Sequence, residues 1–249
     1  MELRLVFFVI SLTAVQIVYA QNYCDRSLCS SGNHIACNNN GRFAASCRNA
    51  AMVTMTQAHK NLIVRLHNTK RNTVASGRTK LRPACRMSTM QWDDELARMA
   101  AFNVKQCQMR HDSCRNTQTF KYSGQNLARS SYNGTPNIRN LLQTLINMWY
   151  NEIKDTTMAY INRYPNNYSG PTIGHFTVMV GQANTRVGCA VSTYSVAGRS
   201  GRTFLLACNY ATTNMIGQAM YRTCSTAASG CRTGRNTAFP SLCSRSEVY

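Results

Sequence analysis

Apolar positions recur at helical spacing in three stretches of the chain. In 55–77, Met55, Ala58, Leu62, Ile63 and Leu66 form one stripe, and Gly77 ends it. In 92–107, Leu96, Met99, Ala100 and Val104 form a second, with Asp93 at the N-cap position and acids in the first turn. In 137–155, Ile138, Leu141, Leu142, Leu145, Met148 and Trp149 form the third. The pattern then changes to alternation. In 174–180, Phe176, Val178 and Val180 share one face and His175, Thr177 and Met179 the other, which predicts a strand opened by a histidine. Residues 187–196 and 203–210 predict two further strands joined by the turn "AGRSG", and 111–128 a turn with a short extended piece. No βαβ unit or internal repeat is visible, so the pattern predicts an α+β domain with helices covering a small antiparallel sheet.

The ends of the chain read differently. Residues 1–20 carry one arginine, an apolar run from Leu5 and a terminal small residue, Ala20. This is the pattern of a secretory signal peptide, too short for a membrane span, with the mature chain starting at Gln21. No later stretch approaches a transmembrane segment, so the expected product is soluble, extracellular and monomeric. Residues 21–54 form a cysteine-rich N-terminal arm without apolar period, 55–217 the principal domain, and 218–249 a C-terminal disulfide-held extension.

All twelve cysteines lie after residue 20, and an even count in an exported chain reads as six disulfides. A zinc–thiolate site from Cys24, Cys29, Cys37 and Cys47 lacks the paired C-x-x-C spacing. The formal charge of +19 attracts anions: acidic lipids, sulfated glycans and fatty-acid carboxylates. The basic residues are scattered, and no arginine-rich arm or nucleic-acid motif appears, so nucleic acid is not an expected partner. Neither a G-x-S-x-G elbow nor an HExxH helix is present. The sequons at Asn133 and Asn167 lie in expected loops and are candidate glycan sites, the first weakened by Pro136.

Five segments in register, "LHNTKR", "YSGQN", "WYNE", "GHFTVMV" and "CNYATTN", resemble the CAP superfamily of cysteine-rich secretory, antigen 5 and plant pathogenesis-related proteins. The arm "NYCDRSLC…HIAC…GRFAASC" and the pair "QCQMRHDSC" narrow the resemblance to insect antigen 5 proteins, those of dipteran saliva among them. The resemblance implies a three-layer α–β–α sandwich with a central antiparallel sheet and a cleft faced by two histidines and two acids. Matched by motif, the cleft positions fall at His67, Gln125, Glu152 and His175, with glutamine where many relatives have glutamate. It also implies the pairs Cys24–Cys37, Cys29–Cys114, Cys47–Cys107 and Cys189–Cys208, leaving Cys85, Cys224, Cys231 and Cys243 with three possible connectivities.

No cofactor is required on this reading. His67 and His175 would hold a divalent ion such as zinc weakly, supported by Glu152. The neutral amide of Gln125 cannot act as a general base, which disfavours a paired-carboxylate mechanism. Ser123 is the one serine in a matching polar motif, and nothing local marks it as activated. His111, between Cys107 and Cys114, and His34 and His59 read as structural; Arg71, Asn68 and Asn126 read as braces. The resemblance thus implies a non-enzymatic secreted protein of allergen type. Its partners would be fatty acids, eicosanoids or other small hydrophobic ligands held between helices, with anionic glycans or a host receptor as further partners. A hydrolase using His67, Glu152 and His175 is the alternative.

Overall fold

The computed structural model describes residues 21–249; the signal-peptide expectation for 1–20 lies outside the described residues. Five strands form one sheet in the order β1 (Arg48–Met52), β4 (Arg186–Ser195), β5 (Arg202–Tyr210), β3 (Gly124–Tyr132). These neighbours are antiparallel, and the two-residue β2 (Gln91–Trp92) adds a parallel pairing at the start of β4. β4 and β5 are the predicted hairpin. β3 is longer than its expected short extended piece, because all nine of its residues find partners along β5. The arm is not wholly loop: its last residues enter the sheet as β1, although they alternate too weakly in hydrophobicity to announce a strand.

Helices cover both faces. On one side lies α2 (Asp94–Val104), with Asp93 capping the Leu96 N–H through its carboxylate. Its Ala100 and Val104 pack on Leu127, Ala190, Leu205 and Ala207. The approach is close enough that a Cβ on Gly188 would sit 2.2 Å from the Ala97 nitrogen, so only glycine fits there in β4. On the other side lie α1 (Gln57–Ala75) and α3 (Ile138–Tyr150). Their Leu62, Ile63, Leu142, Leu145 and Trp149 meet Val191, Phe204 and Leu206 from the sheet. Leu66 and Leu141 are partly buried against this core. Met148, expected inward, is 49% exposed on the outer face of α3. α3 tightens into a 3-10 turn at Asn151–Asp155, and the short α4 (Met158–Asn162) follows.

The largest departure from the sequence pattern is at 174–180. This segment is not a strand but a helix, α5 (Gly174–Val180). All five residues from Phe176 to Val180 are buried. Phe176 and Val180, four apart, enter a cluster with Val74, Leu81, Ile161, Tyr221 and Leu242, while Val178 and Met179 enter the main core. A helix buried on both sides has no polar stripe, so a seven-residue apolar run carries no period that separates it from a strand.

Six disulfides cross-link the chain. Four are the pairs that the resemblance implies, and the remaining cysteines join as Cys85–Cys224 and Cys231–Cys243. Cys85–Cys224 attaches the C-terminal extension and Cys231–Cys243 closes a loop within it, and its Tyr221 and Leu242 are part of the packed interior. No helix among the described residues is long and apolar enough to cross a membrane.

Candidate functional site

A cavity of about 220 Å³ opens between the start of α5, the start of β3 and the loop after β5. It is bordered by His111, Gln125, Asn126, His175, Val178 and Asn214, among others. His175 reaches it from the first turn of α5. Its Nδ1 donates to Glu152 Oε1 at 2.6 Å, and its ring stacks on Trp149 with centroids 6.1 Å apart. Glu152 Oε2 accepts the Phe176 N–H at 3.0 Å, so one carboxylate both orients the imidazole and holds the beginning of the helix. The Nε2 of His175 has no hydrogen-bond partner among the described residues.

The second histidine of the cavity is His111. Its Nδ1 lies 2.8 Å from Gln125 Oε1. The amide nitrogen of Gln125 donates to Asp112 Oδ2 at 2.8 Å and Asn209 Oδ1 at 3.0 Å, which fixes the oxygen as the acceptor and His111 Nδ1–H as the donor. Asp112 is in turn bound to Arg115. The glutamine therefore has a local cause. With the Asp112 carboxylate in hydrogen-bond contact, a glutamate at 125 would bring two anionic oxygens together, whereas an amide satisfies both neighbours.

His67 takes no part in this cleft, and the expectation that it joins His175 as cleft residue and metal ligand is corrected here. It is fully buried. Its Nδ1 donates to the Ile63 carbonyl at 2.8 Å and its Nε2 accepts from the Tyr210 hydroxyl at 2.9 Å. Burial pushes its pKa down to about 4, partly opposed by the Ile63 bond and helped by Arg71 and Lys70. The ring is thus a neutral internal strut. Tyr210 also receives Asn126 Nδ2 at 3.2 Å, and Asn126 reaches the His175 carbonyl at 3.0 Å. This chain of hydrogen bonds joins His67 to the cleft.

The spacing on α1 explains the misplacement. Ile63, His67, Arg71 and Val74 stand on the buried face of the helix. Arg71 donates only to carbonyls of Ser88, Met179 and Gly181 and to the Ser88 hydroxyl. Asn68 bridges the Met90 backbone. Both are the braces that their motif suggests. His111 lies in an irregular loop without periodicity, and its one local signal is its position between Cys107 and Cys114. Those cysteines bind Cys47 and Cys29, pinning the loop on both sides. His34 is structural: Nδ1 accepts from the Ala36 N–H, and Nε2 donates to the Asn116 carbonyl.

The profile of the CAP family, described as the cysteine-rich secretory protein family, matches residues 64–210. This chain belongs to that family. It is 42% identical to venom allergen-1 of Aedes albopictus over 228 residues, covering 91% of this chain and 88% of that one. With the antigen 5 like allergen Cul n 1 of Culicoides nubeculosus it shares 41% over 199 residues, 75% of this chain and 90% of the relative. Among solved structures, NaASP2 with Zn²⁺ superposes with a TM-score of 0.62 at 24% identity, over 80% of this chain and all of that one. The three-layer CAP sandwich expected from the motifs is therefore the fold of this chain.

Among the described residues no three histidine, cysteine, aspartate or glutamate side chains converge as a metal cluster. The cavity offers fewer donors. Among the described residues the Nε2 atoms of His111 and His175 have no partner, and Asn214, whose Oδ1 is buried and likewise without one, lines the same space. Two imidazoles and an amide oxygen fit a divalent transition ion that keeps part of its water shell. Glu152 and Gln125 would support the imidazoles from behind rather than bind the ion.

Proposed function

We propose that this CAP protein is a secreted, monomeric, non-enzymatic binding protein of antigen 5 type. Its ligands are small hydrophobic or anionic lipids such as fatty acids and eicosanoids, and its setting is a host's haemostasis or immunity. The observation that carries the non-enzymatic part is the state of the cleft's polar groups. Both oxygens of Glu152 are engaged by His175 and Phe176, and the Gln125 amide is engaged by three neighbours. Ser123 is buried and donates its hydroxyl to the Tyr210 carbonyl, away from either histidine. A serine-type hydrolase needs an activated nucleophile and a paired-carboxylate mechanism a second acid, and neither Ser123 nor Gln125 supplies one.

Small anionic ligands are favoured by the charge of +19 and by open surfaces that mix apolar and cationic groups. Native mass spectrometry of the secreted protein, titrated with fatty acids, eicosanoids and sterols with and without zinc, tests the reading. A stoichiometric lipid complex indifferent to chelator is expected. Failure of every lipid to bind, together with ester or peptide turnover abolished by His175→Gln, would overturn it.

A second reading concerns a weakly held divalent ion, favoured by the open Nε2 atoms of His111 and His175. Zinc titration of the wild type against His111→Gln tests it. Micromolar binding lost in the variant is expected, and equal binding in both would remove His111 from the site.

A further inference from the structure

Arg186 opens β4, paired with Gln91 of β2. Its Nη1 is buried and has no hydrogen-bond partner, and no ion pair or side-chain hydrogen bond forms at this guanidinium among the described residues. A buried guanidinium nitrogen without an acceptor is costly, and native proteins normally satisfy such groups with protein, water or ligand.

Arg186 borders a cavity of about 560 Å³. A second cation, Arg245, lines it, and Phe120, Ala183, Ala211 and Val248 supply apolar wall. Arg245 is exposed, also without a side-chain partner, and Val248 is 76% exposed. The carboxylate of this wall, Glu247, is already engaged by Arg86, the Arg232 and Thr233 N–H groups and the Thr233 hydroxyl.

The far wall is held in place. Cys231–Cys243 closes the extension, Thr89 Oγ1 donates to the Cys243 carbonyl, and Gln91 Nε2 donates to the Arg245 carbonyl at 2.9 Å. The cavity is therefore a pre-formed space between β4 and the fixed tail, with two guanidinium groups free among the described residues and a partly apolar lining.

We propose that this cavity binds a small apolar carboxylate, with Arg186 receiving the carboxylate and Phe120 and Val248 covering the hydrocarbon part. Guanidinium presents a planar fork of donors that matches two carboxylate oxygens, and the apolar wall favours an anion with a hydrophobic body over an inorganic one. The site is separate from the His111–His175 cleft. The proposal rests on the binding-protein reading and gives its anionic ligand an address.

The test is calorimetric titration of the secreted protein with decanoate, with acetate and decanol as the two half-ligands. Decanoate is expected to bind at one site at least tenfold more tightly than either half-ligand. Arg186→Met should weaken it by tenfold or more and Arg245→Met by about threefold. Because Arg186 has no protein partner, Arg186→Met should melt no lower than the wild type. If it does melt lower, hydrogen exchange on the wild type decides, with decanoate expected to protect 183–187 and 245–248. Decanoate binding unchanged in Arg186→Met, or protection elsewhere alone, would overturn this site and leave the binding-protein reading standing. No decanoate binding by the wild type would overturn the site. The reading itself would fall only if the wider lipid series also failed to bind.

Discussion

One carboxylate, Glu152, joins the end of α3 to the start of α5: Oε1 takes the His175 ring N–H at 2.6 Å and Oε2 the Phe176 backbone N–H at 3.0 Å. Two donors converge on it, and an amide can accept through one atom only. Glu152→Gln should therefore exchange charge-assisted bonds for neutral ones, the amide oxygen taking the Phe176 N–H and the amide nitrogen forcing His175 into its other tautomer. Hydrogen bonds to charged groups are worth roughly 1.5–3 kcal/mol, and a loss of that order is expected in urea unfolding. A variant as stable as the wild type would mean that Glu152 does not hold α5.

Gln125→Glu restores the residue that many relatives carry, yet it should destabilise this chain. Asp112 Oδ2 lies 2.8 Å from the Gln125 amide nitrogen, and glutamate would place like charges in contact. Repulsion raises the folded-state pKa of one carboxyl, so the folded variant binds a proton more readily than the unfolded chain. The deficit relative to wild type should shrink as pH falls from about 7 to 4. Urea unfolding of both proteins at the two pH values reads this directly, and a deficit that grows on acidification would refute it.

Arg71 is fully buried, and every hydrogen bond it makes goes to a carbonyl or a hydroxyl, with no carboxylate among them. Burial lowers its pKa to about 10 while leaving it charged at neutral pH. Lysine cannot reproduce the planar fork that bridges Ser88 to the carbonyl end of α5. Arg71→Lys should cost about 2 kcal/mol or more, and Arg71→Ala about 3–5 kcal/mol, by chemical denaturation. Cleft zinc affinity in the folded fraction should change little.

Two buried groups give the stability a predictable acid limb. His67 is held neutral with a pKa of about 4, so the unfolded chain binds its proton first. Its contribution is full above about pH 6.5 and falls away toward pH 4. Burial works to raise the pKa of Glu247, but hydrogen bonds from Arg232, Thr233 and Arg86 outweigh it and hold the carboxyl at about 2. Its contribution is full above its unfolded pKa and is lost as pH falls from about 4.5 toward 2. Thermal melts from pH 7 to 2 should show both losses. Glu247→Gln should flatten the lower one and release the tail to proteolysis at neutral pH.

The cleft shows where motif matching and packing part. "GHF" and "WYNE" place His175 and Glu152 in the site because each motif sits on a short element that faces it. "LHN" marks an equally regular position, His67, but on the face of α1 that also carries Ile63 and Val74. A polar residue in an apolar stripe is buried with it, and Tyr210 and the Ile63 carbonyl satisfy its nitrogens. The residue that does reach Gln125, His111, sits in a loop whose shape follows from two disulfides to the N-terminal arm, a relation that no local pattern encodes.

By itself the sequence determined the three long helices, the β4–β5 hairpin, the family and the Glu152 and His175 positions. Amphipathic period, turn chemistry and motif register are properties of neighbouring residues. Tertiary structure alone decided that 174–180 is a helix, that β1 joins the sheet and that Cys85 pairs with Cys224, 139 residues away. It also decided that the second cleft histidine is His111 and that Arg186 lines a cavity without a partner. The reason is common to all of these. Each depends on what a side chain meets from a distant part of the chain, and a segment buried on every side, or a loop held by cross-links, leaves no periodic trace of its own.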